Sequence, residues 1–264
     1  ILLSRQDMTL PNDLEQMWYL LDLVWEDIGC DNNELDWEKV GKFYAHPVWL
    51  LNGLFAEQDN DSMKHRNAVS DWVVDHNFNK IVDYGGGYGT LARLVALKSD
   101  TIKVDIYEPY PSEFGIKCVA EVDNVNIVAD LQLGYDCLMS TDVLEHVPDP
   151  LQDLFNMIKS VKLDGYLVIG APFYPMIKCH LPQNFHFRHT FNIFARLMGL
   201  EVVGDLKGSP QTIYKKISED DPNWKIINIV EKATIIMFPF FDRAEMVLRA
   251  VWRAYKYVRL KRNN

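Results

Sequence analysis

The fold is decided by residues 81–92, which read Ile81-Val82-Asp83-Tyr84-Gly85-Gly86-Gly87-Tyr88-Gly89-Thr90-Leu91-Ala92. An apolar run ends at an acid, four glycines follow within five residues, and an amphipathic helix begins near Leu91. Glycines permit positive φ and let a ligand approach the backbone closely. The free N–H groups of a helix start favour an anionic group. The stretch therefore predicts a strand, a ligand-binding turn and a helix.

The spacing of the glycines argues against two common phosphate-binding loops. The dinucleotide fingerprint G-x-G-x-x-G needs a third glycine where Thr90 stands, which disfavours an NAD-type oxidoreductase. A P-loop needs a Gly-Lys-Ser/Thr sequence, and none follows. The pattern that fits is Asp-x-Gly-x-Gly-x-Gly, at Asp83, Gly85, Gly87 and Gly89.

This pattern resembles motif I of class I S-adenosylmethionine (SAM)-dependent methyltransferases. In that family the loop wraps the methionine end of SAM, and the acid leads to its ammonium group. The resemblance implies SAM as the cofactor and S-adenosylhomocysteine (SAH) as its product. It implies that the cofactor is held by Asp83, Gly85, Gly86, Gly87 and Gly89.

From residue 80 onward, the chain alternates strand-like and helical patterns. The strand-like runs are 80–83, 103–107, 125–129, 135–139, 165–170, 200–204 and 233–238. Apolar strands alternating with helices indicate a parallel sheet covered on both faces. We predict an α/β fold with a seven-stranded, mostly parallel, doubly wound sheet, the count of the class I methyltransferase fold. A C-terminal helix from Asp242 to about Leu260 is predicted to follow.

Residues 12–76 carry helical periodicity ahead of the glycine loop. Asn12 or Asp13, Asp36 and Ser62 are predicted as helix caps, and Pro47 as a helix start. We therefore predict an N-terminal helical cap over 1–76. The SAM-binding methyltransferase domain, with the C-terminal helix, is predicted over 77–264.

The ends of the second and third strands carry further candidates, because ligands of open α/β sheets bind at the carboxyl ends of the strands. Glu108 follows the second strand, ahead of Pro109, where an acid can accept both ribose hydroxyls. After the third strand, the resemblance implies that Asp130 accepts from the adenine amino group. It also implies that Leu131 packs on the adenine ring.

The run after the fourth strand is a second strong match. It reads Asp142-Val143-Leu144-Glu145-His146-Val147-Pro148-Asp149-Pro150 and is similar to the signature of small-molecule methyltransferases, including quinone-type O-methyltransferases. The resemblance implies that Ser140 and Thr141 line the methionine portion of SAM. It also implies that Asp142 turns the chain under the active site and that His146 lies near its mouth.

Three histidines are candidates for the base that a hydroxyl acceptor needs, because imidazole titrates near neutral pH. His146 lies in the motif after the fourth strand, and His186 and His189 open the helix after the fifth. The alternative for each is a polar residue bonded to a backbone group. No clustered carboxylates indicate metal-assisted catechol-type chemistry, so no metal is expected.

The acceptor pocket is expected from segments outside the resemblance. Tyr44, His46, His65 and Arg66 place polar and aromatic groups in the N-terminal helices, where they would form a lid. Tyr174 lies in an aromatic, proline-rich loop after the fifth strand. The alternative is that the aromatic rings are core and the polar groups are solvated.

Composition and charge narrow the partners. The 264 residues are 48% hydrophobic, which is ample for a packed core. The net charge of −10 disfavours general nucleic-acid binding. Four scattered cysteines without a C-x-x-C pair indicate neither a zinc site nor a redox motif, and they fit a reducing cytoplasm. We expect a soluble protein, since no signal peptide and no run of about 18 apolar residues occurs, and the thiols place it in the cytoplasm.

The predicted C-terminal helix is amphipathic and basic. Its bases are Arg243, Arg249, Arg253, Lys256, Arg259, Lys261 and Arg262. Such a helix suits a membrane surface or a lipid-linked substrate. A helix that packs on the domain with its bases in water explains the same pattern. A homo-oligomer is compatible with the sequence.

The sequence thus predicts a SAM-dependent methyltransferase with a small-molecule acceptor. O-methylation of a sugar, a phenol or polyketide, or a quinone-like hydroxyl is the leading hypothesis. The alternatives are N-, S- or C-methylation, another SAM reaction such as aminopropyl transfer, and a non-catalytic SAM-binding subunit of a methyltransferase complex. The acceptor is not identified by the sequence.

Overall fold

The computed structural model describes residues 2–7 and 9–262, with side chains in the last helix described up to Arg249 and at Trp252 and Lys256. The helices are α1 Asp13–Ile28, α2 Trp37–Tyr44, α3 Val48–Gln58, α4 Asn60–Asp75, α5 Thr90–Lys98, α6 Glu113–Val119, α7 Pro150–Ser160, α8 Phe187–Leu197 and α9 Trp224–Arg262. The strands are β1 Lys80–Tyr84, β2 Lys103–Tyr107, β3 Val125–Val128, β4 Tyr135–Thr141, β5 Val161–Gly170, β6 Leu200–Asp205 and β7 Thr212–Lys216.

The strands form one seven-stranded sheet in the order β3-β2-β1-β4-β5-β7-β6. Strands β1 to β5 are parallel, and β7 runs antiparallel to both β5 and β6. The predicted α/β, mostly parallel sheet is therefore confirmed. The chain order reverses between β1 and β4, which is where open α/β sheets bind ligands.

Helices cover both faces of the sheet, as a doubly wound fold requires. Along β1, Ile81 packs into the cluster with α4, α5 and α6, and Val82 packs into the cluster with α7, α8 and α9. Cys137 and Leu138 alternate in the same way along β4. This period of two follows from the pleat of the strands.

The predicted strand 233–238 is wrong, because these residues lie within α9. The seventh strand is Thr212–Lys216, in which Ile213 and Tyr214 are buried. Residues 233–238 form a short apolar run, a pattern that does not distinguish strand from helix. Their neighbours settle the ambiguity, since Ile227 and Val230 pack on the core one turn apart while Ile236 is exposed.

The predicted C-terminal helix belongs to this longer α9, which begins at Trp224 and contains Pro239. The side chains of Arg253, Arg259, Lys261 and Arg262 lie outside the described residues, so the interpretation of a basic face stays a prediction. Within the described part of the chain, no helix is long and apolar enough to cross a membrane.

The N-terminal helices divide into two groups. Helices α1, α2 and α3 share a cluster of buried residues that includes Phe43 and reaches Cys179 in the loop after β5. Helix α4 packs against the sheet beside α5 through Val69 and Val73. The division of the chain at residues 76 and 77 stays a prediction.

The helix caps agree with the sequence except at α4. Asn12 caps α1 and Asp36 caps α2 with side-chain oxygens, and Pro47 precedes α3. Helix α4 is capped by Asp59 rather than Ser62, whose backbone N–H donates to the Asp59 carboxylate at 2.7 Å. Asp59 is the cap because its carboxylate accepts a hydrogen bond from the backbone N–H three residues later, the usual spacing for an N-cap.

Helix α3 lies directly on the glycine loop. A Cβ on Gly53 would overlap the ring of Tyr88, so only a glycine lets the helix and this ring approach so closely. The Glu57 carboxylate accepts from the Thr90 hydroxyl at 2.8 Å and pairs with Arg93. The first turn of α5 is therefore held by α3.

Candidate active site

The glycine loop has the backbone that its sequence predicts. Gly85 and Gly87 have φ of 70° and 54°, in the left-handed region that favours glycine. A Cβ on Gly85 would collide with Val143 in the turn after β4. A Cβ on Gly87 would meet nothing within 4 Å, so the loop is open on that side. The loop thus forms a tight cradle with one open face.

Two buried polar atoms beside this cradle have no protein partner. Asp83 is 3% exposed, and its Oδ2 accepts no hydrogen bond from any described residue. The Ser140 hydroxyl is equally orphaned at 1% exposure. Since buried polar groups are normally hydrogen-bonded, these atoms are available to bind a ligand or a water molecule. They lie at the ends of neighbouring strands, because Tyr84 pairs with Ser140.

The Asp83 carboxyl is a weaker acid than an ordinary aspartate. Burial raises its pKa to about 7, and the positive charge of Arg66 opposes the rise. Burial likewise raises the pKa of Asp142, and the positive charge of Arg66 opposes this rise as well. Helix α4 therefore places one cation beside two acids, and His65 adds a smaller effect on Asp142.

Glu108 lies against the glycine loop at the end of β2. Its carboxylate accepts from the backbone N–H of Gly87 at 2.9 Å and from that of Tyr110 at 3.0 Å. Pro109 is exposed beside it. Glu108 thus stands next to the open face of the loop, where a ribose would lie.

The end of β3 continues the same row. Asp130 is exposed after this strand, and its charge helps raise the pKa of Tyr107, a shift caused mainly by burial. Leu131 is half-buried and packs against the core. Because the strands run in the order β3, β2, β1, β4, the predicted adenine, ribose and methionine groups lie along one edge of the sheet.

The chain turns sharply after β4. Asp142 has φ of 57° and donates its backbone N–H to Gly170 at 2.8 Å. The Thr141 hydroxyl accepts from Gln211 at 3.4 Å. The turn carries the chain from the cofactor residues to His146 within a few residues.

His146 lies where the turn after β4 meets α2 and α3, and we call the region between these helices and the strand ends the cleft. Its ring is edge-on to Tyr44 at 6.2 Å, and Tyr44 stacks on Trp49 and on Tyr110. Its Nδ1 lies 3.1 Å from the carbonyl oxygen of Cys179. Burial lowers the pKa of His146 to about 3, so its imidazole is neutral at physiological pH.

Two residues absent from the sequence-based site lie beside His146. Glu145 is fully buried, and neither of its carboxylate oxygens has a hydrogen-bond partner among the described residues. The His180 ring lies 4.7 Å from that of His146. Glu145 belongs to the quoted motif, but nothing in the sequence links it to His180, which is 34 residues beyond His146.

His186 and His189 lie against α9. The His186 Nδ1 is 3.0 Å from the Thr234 hydroxyl, and burial lowers its pKa to about 4. His189 packs near Phe238 and lies 3.5 Å from a Glu245 oxygen. The described contacts of these two histidines thus run to α9 rather than to His146.

The remaining acceptor candidates divide between the two regions. The His46 Nδ1 accepts from the backbone N–H of Val48 at 3.1 Å, which supports the start of α3. The Tyr174 ring lies under Arg188 at 4.4 Å, and its hydroxyl accepts from Arg249 at 3.2 Å. The structure therefore brings Tyr44, His65 and Arg66 to the cleft and places Tyr174 towards α9.

A family model for a methyltransferase domain matches residues 51–195, which include every strand end of this row. The chain belongs to this methyltransferase family. No curated protein matches the sequence of this methyltransferase. The predicted methyltransferase family is confirmed, and the family implies SAM as the methyl donor.

Solved structures share the fold of this methyltransferase at low identity. An O-methyltransferase family protein from Burkholderia thailandensis is 16% identical, with a TM-score of 0.53 over 83% of this chain and 77% of that chain. The mitomycin 7-O-methyltransferase MmcR is also 16% identical, with a TM-score of 0.50 over 75% of this chain and 66% of that one.

The SAM-dependent methyltransferase SibL is 18% identical over 60% of this chain, with a TM-score of 0.45. The methyltransferase spans 56% of the length of SibL and about two thirds that of MmcR. At these identities, the first two structures show the class I fold.

Proposed function

We propose that this methyltransferase transfers the methyl group of SAM to a hydroxyl group of a small molecule. The observation that supports the proposal most is the position of His146. His146 comes four residues after Asp142 in the turn that follows β4, and its imidazole, kept neutral because burial lowers its pKa to about 3, would accept a hydrogen bond from the acceptor hydroxyl.

The residues of the cleft fit SAM on their own chemistry. Asp83 would accept from the ammonium group, and the Arg66 guanidinium suits the neighbouring carboxylate. Glu108 would accept from the ribose hydroxyls, with Asp130 and Leu131 at the adenine. Bound SAM supplies a methyl group on a positively charged sulfur.

The protein has three tasks in such a transfer. It holds donor and acceptor in line, which lowers the barrier by several kcal/mol at least. It excludes water, for which the stack of Tyr44 on Trp49 and Tyr110 provides an apolar cover. It also orients the acceptor hydroxyl, whose hydrogen bond His146 Nε2 would accept, because Nδ1 faces the Cys179 carbonyl. The proton itself would pass on to water, because burial makes this imidazole a weak base.

The same stack favours a small, flat acceptor. The rings of Tyr44 and Trp49 contact the His146 ring edge-on at 6.2 and 6.3 Å, so the surroundings of His146 are aromatic and would favour a phenol- or quinone-like acceptor. Two structural neighbours carry O-methyltransferase in their names, which supports oxygen as the methylated atom. N-, S- and C-methylation, and a SAM-binding subunit without activity, stay as alternatives.

The test combines SAH calorimetry with methyl transfer from labelled SAM to a panel of phenols, catechols, sugars and amines. We expect SAH binding and label on hydroxylated aromatic compounds. Label recovered on nitrogen or carbon would redirect the assignment of the acceptor atom. Absence of SAH binding would refute the proposal as a whole.

A further inference from the structure

Glu145 is the most unusual side chain of the cleft. It is fully buried, and both of its oxygens lack hydrogen-bond partners among the residues described. The negative charge of Asp142 is close enough to affect Glu145 electrostatically. A buried carboxyl without hydrogen bonds is unfavourable unless a cation or a ligand completes it. The described residues therefore leave both Glu145 oxygens available to bind a cation.

Two imidazoles beside Glu145 are oriented as metal ligands are. The Nδ1 of His146 faces the Cys179 carbonyl at 3.1 Å, and the Nδ1 of His180 faces the Tyr174 carbonyl at 2.7 Å. Each ring therefore keeps its proton on Nδ1 and presents the lone pair of Nε2. Backbone carbonyls orient metal-binding histidines in the same manner.

The three side chains converge on one point. Their donor atoms all lie within 4.8 Å of one another, and Glu145 Oε1 is 3.8 Å from His146 Nε2. Ligands about 2.1 Å from a shared ion lie roughly 3 to 4 Å apart, so a small side-chain rotation completes the geometry. We propose that Glu145, His146 and His180 bind a divalent transition-metal ion.

The backbone around these residues is fixed in place. The Leu181 N–H donates to the Glu145 carbonyl at 3.0 Å, which joins the loop of His180 to the turn of Glu145. The buried Asn184 side chain donates to the Val147 carbonyl at 2.9 Å. These bonds hold the two ligand-bearing segments together without the ion, as a preformed site requires.

A second group of potential ligands gives the contrast. His189, Asp242 and Glu245 also lie within 4.8 Å of one another, but at the surface. There Asp242 pairs with Arg188, and Glu245 pairs with Arg249. Their carboxylates are already satisfied, so ordinary ion pairs explain this group.

The ion would also define how the acceptor hydroxyl binds, an inference that rests on the proposed function. Two nitrogens and one oxygen leave coordination positions open, as in other catalytic metal sites. A hydroxyl oxygen of the acceptor would bind there and pass its proton to water. With the ion bound, His146 Nε2 would be a metal ligand and would no longer accept a hydrogen bond from that hydroxyl. An acceptor with two adjacent hydroxyls is favoured, because it can bind through both oxygens.

The test uses the 264-residue chain after dialysis against a chelator. MnCl₂ is titrated in, and the electron paramagnetic resonance of free aqueous Mn²⁺ measures the unbound ion. Mn²⁺ is chosen because it favours oxygen donors such as the Glu145 carboxylate and has little preference for the thiols of Cys30 and Cys118. We expect one Mn²⁺ per chain, displaced by Zn²⁺, and at least about 10-fold weaker binding in His180→Gln and Glu145→Gln.

His189→Gln and Glu245→Gln are the matched controls and should bind Mn²⁺ as the unmodified chain does. SAH calorimetry on each variant shows that the cleft is folded and tests the cofactor site separately. Mn²⁺ binding that is absent, or equal in His180→Gln and in the unmodified chain, would overturn the metal site. SAH binding in that same preparation would leave the methyltransferase proposal standing.

Discussion

The two halves of the cleft are built differently. The predicted cofactor half consists of four strand ends in a row, and its groups lie on these strands or within five residues of their ends. The acceptor half is assembled from α2, α3 and two loops, and its side chains meet only through tertiary contacts such as that of Tyr44 with His146. Cofactor binding should therefore depend on local backbone geometry, whereas acceptor chemistry should depend on side chains from distant segments.

The largest effect confined to the cofactor half is expected from Gly87→Trp, which should weaken SAH binding. The indole would fill the open face of the loop, and a residue other than glycine is strained at φ of 54°. We expect SAH affinity to fall at least about 100-fold in calorimetry. Gly134→Trp is the control, because Gly134 has φ of 83° and open surroundings away from the loop. Equal losses in both variants would mean that strain alone is responsible.

His146→Ala should reduce turnover and leave SAH affinity nearly unchanged. Loss of the imidazole removes the group beside the acceptor, so turnover with labelled SAM should fall about 100-fold or more. SAH affinity should stay within about 2-fold, since His146 is not among the strand-end groups. His189→Ala should keep both properties, because His189 faces α9. A large loss of turnover in His189→Ala would move the acceptor site towards α9.

The acidity of Asp83 makes the cofactor half pH-dependent. Its pKa of about 7 means that the carboxylate needed by the SAH ammonium group is lost as pH falls through 7. SAH affinity should therefore drop about 10-fold between pH 7.5 and 6. Without ligand, the sign is reversed for stability, because a raised carboxyl pKa costs stability as pH rises from about 4 to 7. Asp83→Asn should bind SAH weakly at both values, and a slope as steep as that of the unmodified chain would exclude Asp83 as its source.

The smallest effect concerns the contact between the halves. Gly53→Ala would push α3 away from Tyr88 and cost roughly 1–3 kcal/mol of unfolding free energy in urea titration. In Gly41→Ala the new Cβ would lie 3.8 Å from Tyr110, an ordinary contact, so the helix should keep or gain stability. If Gly53→Ala were as stable as the unmodified chain, α3 and Tyr88 would be able to move apart without loss of unfolding free energy.

The sequence was informative where function is encoded locally. The glycine loop, Glu108, Asp130 and the Asp142 turn each follow a strand, so the order of the strands places them along one edge. Glu145 and His180 could not be paired in this way, because a loop contact joins them. The strand at 233–238 was predicted wrongly since short apolar runs fit both periods, and its helical register is set by packing of Ile227 and Val230 on the core.

The contact of α3 with the glycine loop has a consequence for local unfolding. Tyr88 fits against Gly53, and Glu57 joins Thr90 and Arg93, so α3 and the first turn of α5 should open as one cooperative unit. A ligand that stabilises the loop would then slow hydrogen exchange in α3 as well. Hydrogen exchange in α3 would then respond to cofactor binding even if α3 makes no contact with the cofactor.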